Sequence, residues 1–374
     1  MLKRVDYLCM QPTRQGQASY AHVNEIAEGL RRRGWDLRLV EPPHPRPGRG
    51  DGLRRLVAAA TTQLAYWIRC RFRPAAFVYI RAHFLTLPSA LLARLAGSIV
   101  VQEINGPLSD VYGRWPMLRP FHRLLVATMD AQIRWADAVI IVTPGLEDYL
   151  RSETGRSEGY FVVGNGANTH LFRPVTRSDD PSDRAYAVFF GALAPWQGLE
   201  TVLRAAQGTS WPVNVDLVIA GDGVEREQVA AAARACERIR WMGSIPYRDI
   251  PAIVAGSLAA LVPMSSLPRS GYGLSPLKLF EAMSCGVPVV ASDLPGLADI
   301  VRAHDCGLIF PAGDPDALGR SVAELAAHGH RAREMGRRGR EAAEGYYSWD
   351  ARAGETEQVL LHAQARRSRR AGAG

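Results

Sequence analysis

The chain has 374 residues, of which 47 % are hydrophobic and 22 % charged, and it carries a formal net charge of +8. Such a length is too great for one ordinary core and divides most naturally into two domains of globular composition. Five widely spaced cysteines (Cys9, Cys70, Cys236, Cys285, Cys306) with no CxxC spacing and no histidine cluster argue against a disulfide framework or a zinc site, and no apolar run approaches the roughly 20 residues of a membrane span.

Short apolar runs alternate with longer helical patterns, which predicts βα units and parallel sheets. Strands are predicted at Val5–Met10, Leu37–Glu41, Phe77–Ile80, Ile99–Glu103, Ala138–Thr143 and Tyr160–Val163, with helices at Ala18–Arg33, Leu53–Arg69, Pro88–Ala96 and Pro120–Trp135. Residues 1–10 run straight into a strand pattern, so a signal peptide is not expected. Ser178-Asp179-Asp180-Pro181-Ser182-Asp183 reads as an exposed linker. The pattern then restarts, with strands at Ala187–Gly191, Val215–Ala220, Ile239–Met242, Ala259–Val262, Val287–Ala291 and Gly307–Phe310. Helices are predicted at Gly198–Ala206, Arg226–Cys236, Pro246–Ala255, Pro276–Met283, Leu297–Val301 and Pro315–Ala326. This gives an α/β chain of two doubly wound, Rossmann-like domains, with a ligand expected where strand C-termini face a central cleft. The domains are read as 1–176 and 177–345, followed by a helix over 346–365 and a disordered tail over 366–374.

Charge is divided unevenly. Residues 1–175 hold 23 Lys+Arg against 14 Asp+Glu, a net of +9, while the remainder nets −1. The basic excess of the first half suits an anionic partner such as a membrane surface or an anionic acceptor. Nucleic acid is not expected, because no recognisable nucleic-acid-binding signature accompanies it. Leu53–Pro74 interleaves Arg54, Arg55, Arg69, Arg71 and Arg73 with Leu56, Val57, Leu64, Tyr66, Trp67 and Ile68. It reads either as an amphipathic helix with a solvated basic end or as an attachment to anionic lipid.

The chemistry concentrates in Ser275-Pro276-Leu277-Lys278-Leu279-Phe280-Glu281. Serine is a good N-cap and proline a good first helical residue, so backbone N–H groups here would face an anion. Lys278 and Glu281, three apart, share a helix face. The cation suits phosphate oxygens and the carboxylate suits two neighbouring ribose hydroxyls. A plain surface ion pair is the competing reading, disfavoured by Gly271 and Gly273 before the helix and the apolar strand after it.

The run EAMSCGVPVVASDLPGLADIV…CGLIFPAGDPDAL, with Gly191–Gly198, Ala220-Gly221-Asp222-Gly223, Met242–Pro246 and Val162–Ala167…Phe172-Arg173-Pro174 upstream of it, resembles the retaining glycosyltransferases of family 4. The resemblance is strong over 160–320 and loose before residue 95. It implies a GT-B architecture with the C-terminal helix crossing back to the N-domain. It also implies a nucleoside-diphosphate sugar as donor, no metal or other cofactor, and transfer with retention (a hexosyl- or related transferase, EC 2.4 class).

Three departures from the family pattern stand out. Glu281 matches the second of two glutamates seven apart, but the first falls on Gly273. The usual arginine and lysine of the Gly191–Gly198 loop are Ala192 and Gln197, so Lys278, with Arg269, is expected to supply the missing phosphate charge. The histidine often found after the fourth strand is replaced by Asn105. The resemblance therefore implies a donor site of Gly16, Gln197, Arg269, Gly273, Leu274, Ser275, Pro276, Leu277, Lys278 and Glu281. Glu103, Asn105 and Lys278 are the catalytic candidates, and Asp110 is a further carboxylate near the expected cleft.

Cell-surface polysaccharide or glycolipid assembly is the expected setting, on a saccharide, lipid-linked or small-molecule acceptor, in the cytoplasm or peripheral on the inner face of the membrane. The alternatives are a natural-product glycosyltransferase of the same family, a nucleotide-sugar 2-epimerase, and a non-catalytic nucleotide-sugar-binding protein. The epimerase calls for cleft histidines, and none of the nine lies in Gly271–Pro288 or Gln102–Pro107.

Overall fold

Strand β1 (Arg4–Cys9) is buried from Val5 to Cys9, as a strand covered on both faces must be. The computed structural model describes residues 3–13, 16–43, 51–107, 116–175, 184–267 and 271–372. The linker expected at 178–183, together with Asp110 and Arg269, lies outside these residues. The chain divides into two compact units, 1–164 with 350–374 and 165–349.

In the first unit β1 is followed by α1 (Ala18–Arg32), β2 (Asp36–Val40), α2 (Asp51–Phe72), β3 (Phe77–Arg81), α3 (Leu87–Leu95) and β4 (Ile99–Ile104). Helix α4 (His122–Trp135), β5 (Ala138–Ile141), α5 (Gly145–Thr154) and β6 (Tyr160–Val162) complete it. The sheet order is β2-β1-β3-β4-β5-β6, with every pairing parallel. The chain reverses its direction of winding between β1 and β3, so the crevice beyond their C-terminal ends is the expected ligand position.

The second unit contains β7 (Ala185–Phe190), α6 (Leu199–Gln207), β8 (Val215–Ala220), α7 (Arg226–Ala235), β9 (Ile239–Gly243), α8 (Ile250–Ala255) and β10 (Ala259–Val262). It continues with α9 (Leu277–Ser284), β11 (Val289–Ser292), α10 (Leu297–His304), β12 (Gly307–Phe310), α11 (Pro315–Ala327) and α12 (Gly329–Gly345). Its parallel sheet has the order β12-β11-β10-β7-β8-β9, which places the switch point between β7 and β10. Both sheets are Rossmann-like, as the alternating pattern predicts.

Two helices go beyond the sequence expectation. Helix α12 carries glycines at 329, 336, 339 and 345, a composition that argues against a helix by propensity. Packing overrides it: a Cβ on Gly336 would lie 2.0 Å from the carbonyl oxygen of Gly286, so only glycine allows this helix to sit so close. Helix α5 is short and polar, with its apolar face limited to Leu146 and Leu150 among buried residues and Tyr149 beside them.

The last helix, α13 (Trp349–Gly372), groups from Asp350 onward with the first unit. It lies so close to α1 that a Cβ on Gly29 would sit 2.4 Å from Ala353 Cβ. Glu357 on α13 accepts from Lys3 at 2.8 Å and from the Trp35 indole at 2.9 Å, and Arg33 donates to Asp350 at 2.9 Å. The helix continues past Ala365, where Arg366 pairs with Glu158 at 2.5 Å.

Candidate donor and acceptor sites

The second unit gathers its polar groups at the β7/β10 switch point. Gly198 abuts Pro263, the residue after β10: a Cβ there would lie 1.5 Å from the Pro263 carbonyl oxygen. The Ser265 N–H also donates to the Trp196 carbonyl at 3.1 Å. Gln197 is thereby held over the strand end, and its Oε1 is buried with no hydrogen-bond partner among the described residues. Ala192 is exposed.

Helix α9 starts at Leu277 with Pro276, in extended conformation (ψ 131°), as its N-cap. This corrects the expectation of Ser275 as cap and Pro276 as first helical residue. The Ser275 hydroxyl instead accepts from the Asn165 N–H at 3.1 Å, and the Asn165 side-chain amide donates to the Ser275 carbonyl at 2.6 Å. Asn165 thus clamps the approach to the helix. Gly273 holds a left-handed φ of 84°, and the Leu274 N–H donates to the Pro295 carbonyl at 2.9 Å. Beyond them, the Leu279 N–H donates to the Pro276 carbonyl at 3.1 Å, while the Leu277 and Lys278 N–H groups, at the first two helical positions, have no partner within their own helix.

Lys278 is 7 % exposed, and its Nζ lies 4.0 Å from the centroid of the Phe189 ring. Its side chain reaches the end of β7, for a Cβ on Gly191 would stand 3.8 Å from Lys278 Cε. The ammonium has no hydrogen-bond partner among the described residues. Burial pulls its pKa down to about 7, against the opposing pull of Glu281. Glu281, also 7 % exposed, is pushed up to about 7 by burial, while a 2.9 Å hydrogen bond from the Tyr247 hydroxyl and the nearby Lys278 act against the rise. An unpartnered cation in the interior is costly. Together with an amide oxygen in the same condition and the Leu277 and Lys278 N–H groups at the start of α9, it forms a receptor for an anion that also carries hydroxyls.

In the first unit, Glu103 is fully buried at the end of β4. It accepts from Tyr7 at 3.2 Å, from Arg81 at 2.6 Å, and from Tyr79 and Asn105. His22 Nε2 lies 3.1 Å away. Burial alone would raise its pKa, but His22 and Arg81 outweigh that and hold the carboxyl well below the usual carboxylate range. With both oxygens engaged, Glu103 orients Arg81 and Asn105, and those two line a cavity beside the β1/β3 switch point. Gly16, just before α1, holds a left-handed φ of 88° and is exposed.

Sequence reasoning passed over Tyr247, Phe189, Arg81 and His22. A lone tyrosine, arginine or histidine next to a strand or on a helix carries no spacing signal, and each meets its partner only across the fold. Among the described residues, no group of three or more His, Cys, Asp or Glu is arranged to hold a metal ion.

Two family models match the chain, "Glycosyl transferase 4-like domain" over residues 18–166 and "Glycosyl transferases group 1" over 176–342. A phosphatidyl-myo-inositol mannosyltransferase of Mycobacterium leprae is 27 % identical over 338 residues, covering 82 % of each chain. The fold is shared with sucrose-phosphate synthase from Thermosynechococcus elongatus, at a TM-score of 0.77 and 20 % identity over 97 % of this chain and 99 % of that one. It is also shared with Anabaena HepE in complex with UDP-glucose, at a TM-score of 0.68 and 16 % identity over 97 % and 99 %. The protein is a glycosyltransferase of the GT-B fold, related to the glycosyl transferase 4-like family.

Proposed function

We propose that the protein moves a sugar from a nucleoside-diphosphate sugar to an acceptor hydroxyl with retention of configuration, without a metal, in cell-surface polysaccharide or glycolipid assembly. The observation that carries this reading is the buried Lys278 ammonium at the first turn of α9, which has no hydrogen-bond partner among the described residues. A diphosphate would satisfy both the cation and the Leu277 and Lys278 N–H groups, which makes good the absence of a cation at Ala192 and Gln197. Glu281, braced by Tyr247, suits the ribose hydroxyls, and Gln197 Oε1 suits a hydroxyl donor. Gly16, Gly273, Leu274, Ser275, Pro276 and Leu277 would form the surrounding backbone wall. Asn105, oriented by Glu103, suits a hydroxyl of the transferred sugar or of the acceptor.

In the reaction, the bond from the anomeric carbon to the diphosphate breaks as the bond to the acceptor oxygen forms, and the acceptor's proton passes to a diphosphate oxygen. Lys278 and the first turn of α9 stabilise the charge that develops on the leaving group. The names of the relatives support the setting, since one acts on phosphatidyl-myo-inositol and one structure holds UDP-glucose. Incubating the protein with a panel of nucleotide sugars should release nucleoside diphosphate from at least one, with the same rate in EDTA. Failure of every donor to bind or to release its nucleotide would overturn the reading.

Cytoplasmic residence with peripheral attachment to the membrane belongs to the same proposal. Among the described residues, no helix is long and apolar enough to cross a membrane. Helix α2 buries Ala59, Tyr66 and Cys70, yet its outward face shows Val57 at 54 %, Leu64 at 53 %, Ile68 at 57 % and Phe72 at 75 % exposure. Arg54, Arg69, Arg71 and Arg73 stand beside that stripe and are all exposed. An apolar stripe flanked by cations is the pattern of an interfacial helix. Co-sedimentation with phosphatidylglycerol vesicles at low salt, much reduced for Leu64→Asp/Ile68→Asp, is the expected result. No binding at low salt would sink the attachment.

A further inference from the structure

The N-terminal unit carries a pocket of about 800 Å³, open to solvent on one side, beyond the ends of β1, β3 and β4. Small-molecule sites are concave pockets of roughly 300–1,000 Å³. The size of this pocket lies in that range. Its walls differ in chemistry. Arg81, His83 and Asn105 line the side formed by the strand ends, while α2 and α4 contribute Leu56, Ala59, Val126 and Met129. Of the two acidic residues in the lining, Asp130 is paired with Arg134 at 2.6 Å; the other is Glu153.

The apolar lining also reaches the surface. Leu56 and Met117 line the cavity and are themselves 43 % and 72 % exposed. Leu56 adjoins the outward stripe of α2, and Met117 leads to Phe121 at 56 % and Leu124 at 62 %. A polar small-molecule acceptor would leave this apolar wall wet and gain nothing from it. An aliphatic chain would fill it and could enter from a lipid surface without crossing bulk water.

We infer that this cavity holds the aliphatic chain of the acceptor, which is therefore an amphiphile drawn from a lipid surface, with an anionic head at Arg81, His83 and Asn105. The inference rests on the glycosyltransfer reading above and adds the acceptor's chemical class. It places the polar head, where a hydroxyl must react, at the switch-point end of the strands.

The test is calorimetric titration of the full chain with n-octyl, n-decyl and n-dodecyl phosphate below their micelle concentrations, beside inorganic phosphate. Affinity should rise about threefold to fourfold for each methylene that enters the cavity, and inorganic phosphate alone should bind far more weakly than any of the three. An alkyl trimethylammonium of equal length should bind at least about tenfold more weakly than the phosphate, from the loss of charge-assisted hydrogen bonds. Val126→Trp occupies part of the cavity beside α2 and should reduce the gain in affinity from octyl to dodecyl. Leu56→Asp, at the exposed mouth, should weaken it without risk to the core. Affinity independent of chain length in the wild-type protein, or a wild-type dependence in either folded variant, would overturn the inference. A panel of nucleotide sugars titrated into the same wild-type sample reads the donor site separately, so failure of every donor would count against the donor reading and leave the alkyl-phosphate result standing.

Discussion

Lys278→Met is expected to lower the affinity for a nucleoside diphosphate by about 10- to 150-fold, the equivalent of 1.5–3 kcal/mol for a hydrogen bond to a charged group, while making the free protein more stable. The two effects have one cause. In the free state the Lys278 ammonium is buried and has no hydrogen-bond partner among the described residues, and methionine fills nearly the same volume without a charge to desolvate. The pH dependence follows from the sign of the shift. Burial lowers the Lys278 pKa from 10.5 to about 7, so between these values the unfolded chain binds a proton that the folded chain lacks, and stability rises with pH across that window. Methionine should therefore stabilise most below pH 7, with the gain fading as pH climbs towards 10.5. Glu281 works in the opposite range. Its pKa is raised from 4.5 to about 7, so the folded state holds the extra proton and stability falls as pH rises from 4.5 to 7. The two groups together predict a minimum in the stability of the free C-terminal unit near pH 7. Thermal midpoints across pH, paired with UDP titrations, check both arms. An unchanged affinity in Lys278→Met would remove this residue from the donor site, and an unchanged midpoint would contradict the burial argument.

Glu103→Ala is expected to cost the N-terminal unit about 3–5 kcal/mol, the usual penalty for breaking a buried ion pair on one side only. The reason lies in what remains. Arg81 and His22, with side chains 14 % and 5 % exposed, would lose their shared counter-charge, and the Tyr7 and Tyr79 hydroxyls would lose an acceptor. Glu103→Gln keeps the shape and removes the charge, so it should fall between wild type and alanine. Because the folded-state pKa of Glu103 is depressed below 4.5, its contribution is complete above pH 4.5 and declines as pH falls through the folded value. Urea denaturation at pH 7 and at pH 3.5 should therefore show the gap between wild type and Glu103→Ala narrowing in acid. A gap that stays constant, or one below about 1 kcal/mol at pH 7, would show that the cluster does not depend on this carboxylate.

The Lys278–Glu281 pair and the Glu103 cluster differ in how visible they are before folding. Lys278 and Glu281 are three residues apart on one helix face, and a proline and glycines announce the turn that precedes them. Local geometry alone brings them together, so their pairing could be read directly. The depth of their burial could not, because it depends on Phe189 from β7 and Tyr247 from the turn before α8, which lie 89 and 34 residues before Lys278 and Glu281. Glu103 was legible only as a carboxylate at the end of a strand. Its partners Tyr7, His22, Tyr79 and Arg81 come from β1, α1 and β3, and they turn a carboxylate that could have been a base into a fully engaged support.

Helices show the same division. The sequence places the start of α9 at Pro276 with the Ser275 hydroxyl as its cap. Asn165, over a hundred residues away, takes that hydroxyl instead, and the helix starts one residue later. Helix α12 was illegible because its glycines oppose helix formation locally, and they exist for the close approach to Gly286.

The alternation of strand and helix periods, read from the chain alone, determined two parallel α/β sheets, since period and burial are local properties of the sequence. It also determined the residue types of a diphosphate-binding turn. Tertiary structure decided which charges remain unpaired, where strand order reverses in each sheet, and that α2 and α4 leave an apolar cavity between them and the strand ends. Those outcomes depend on contacts between segments far apart in the chain, and no local pattern records them.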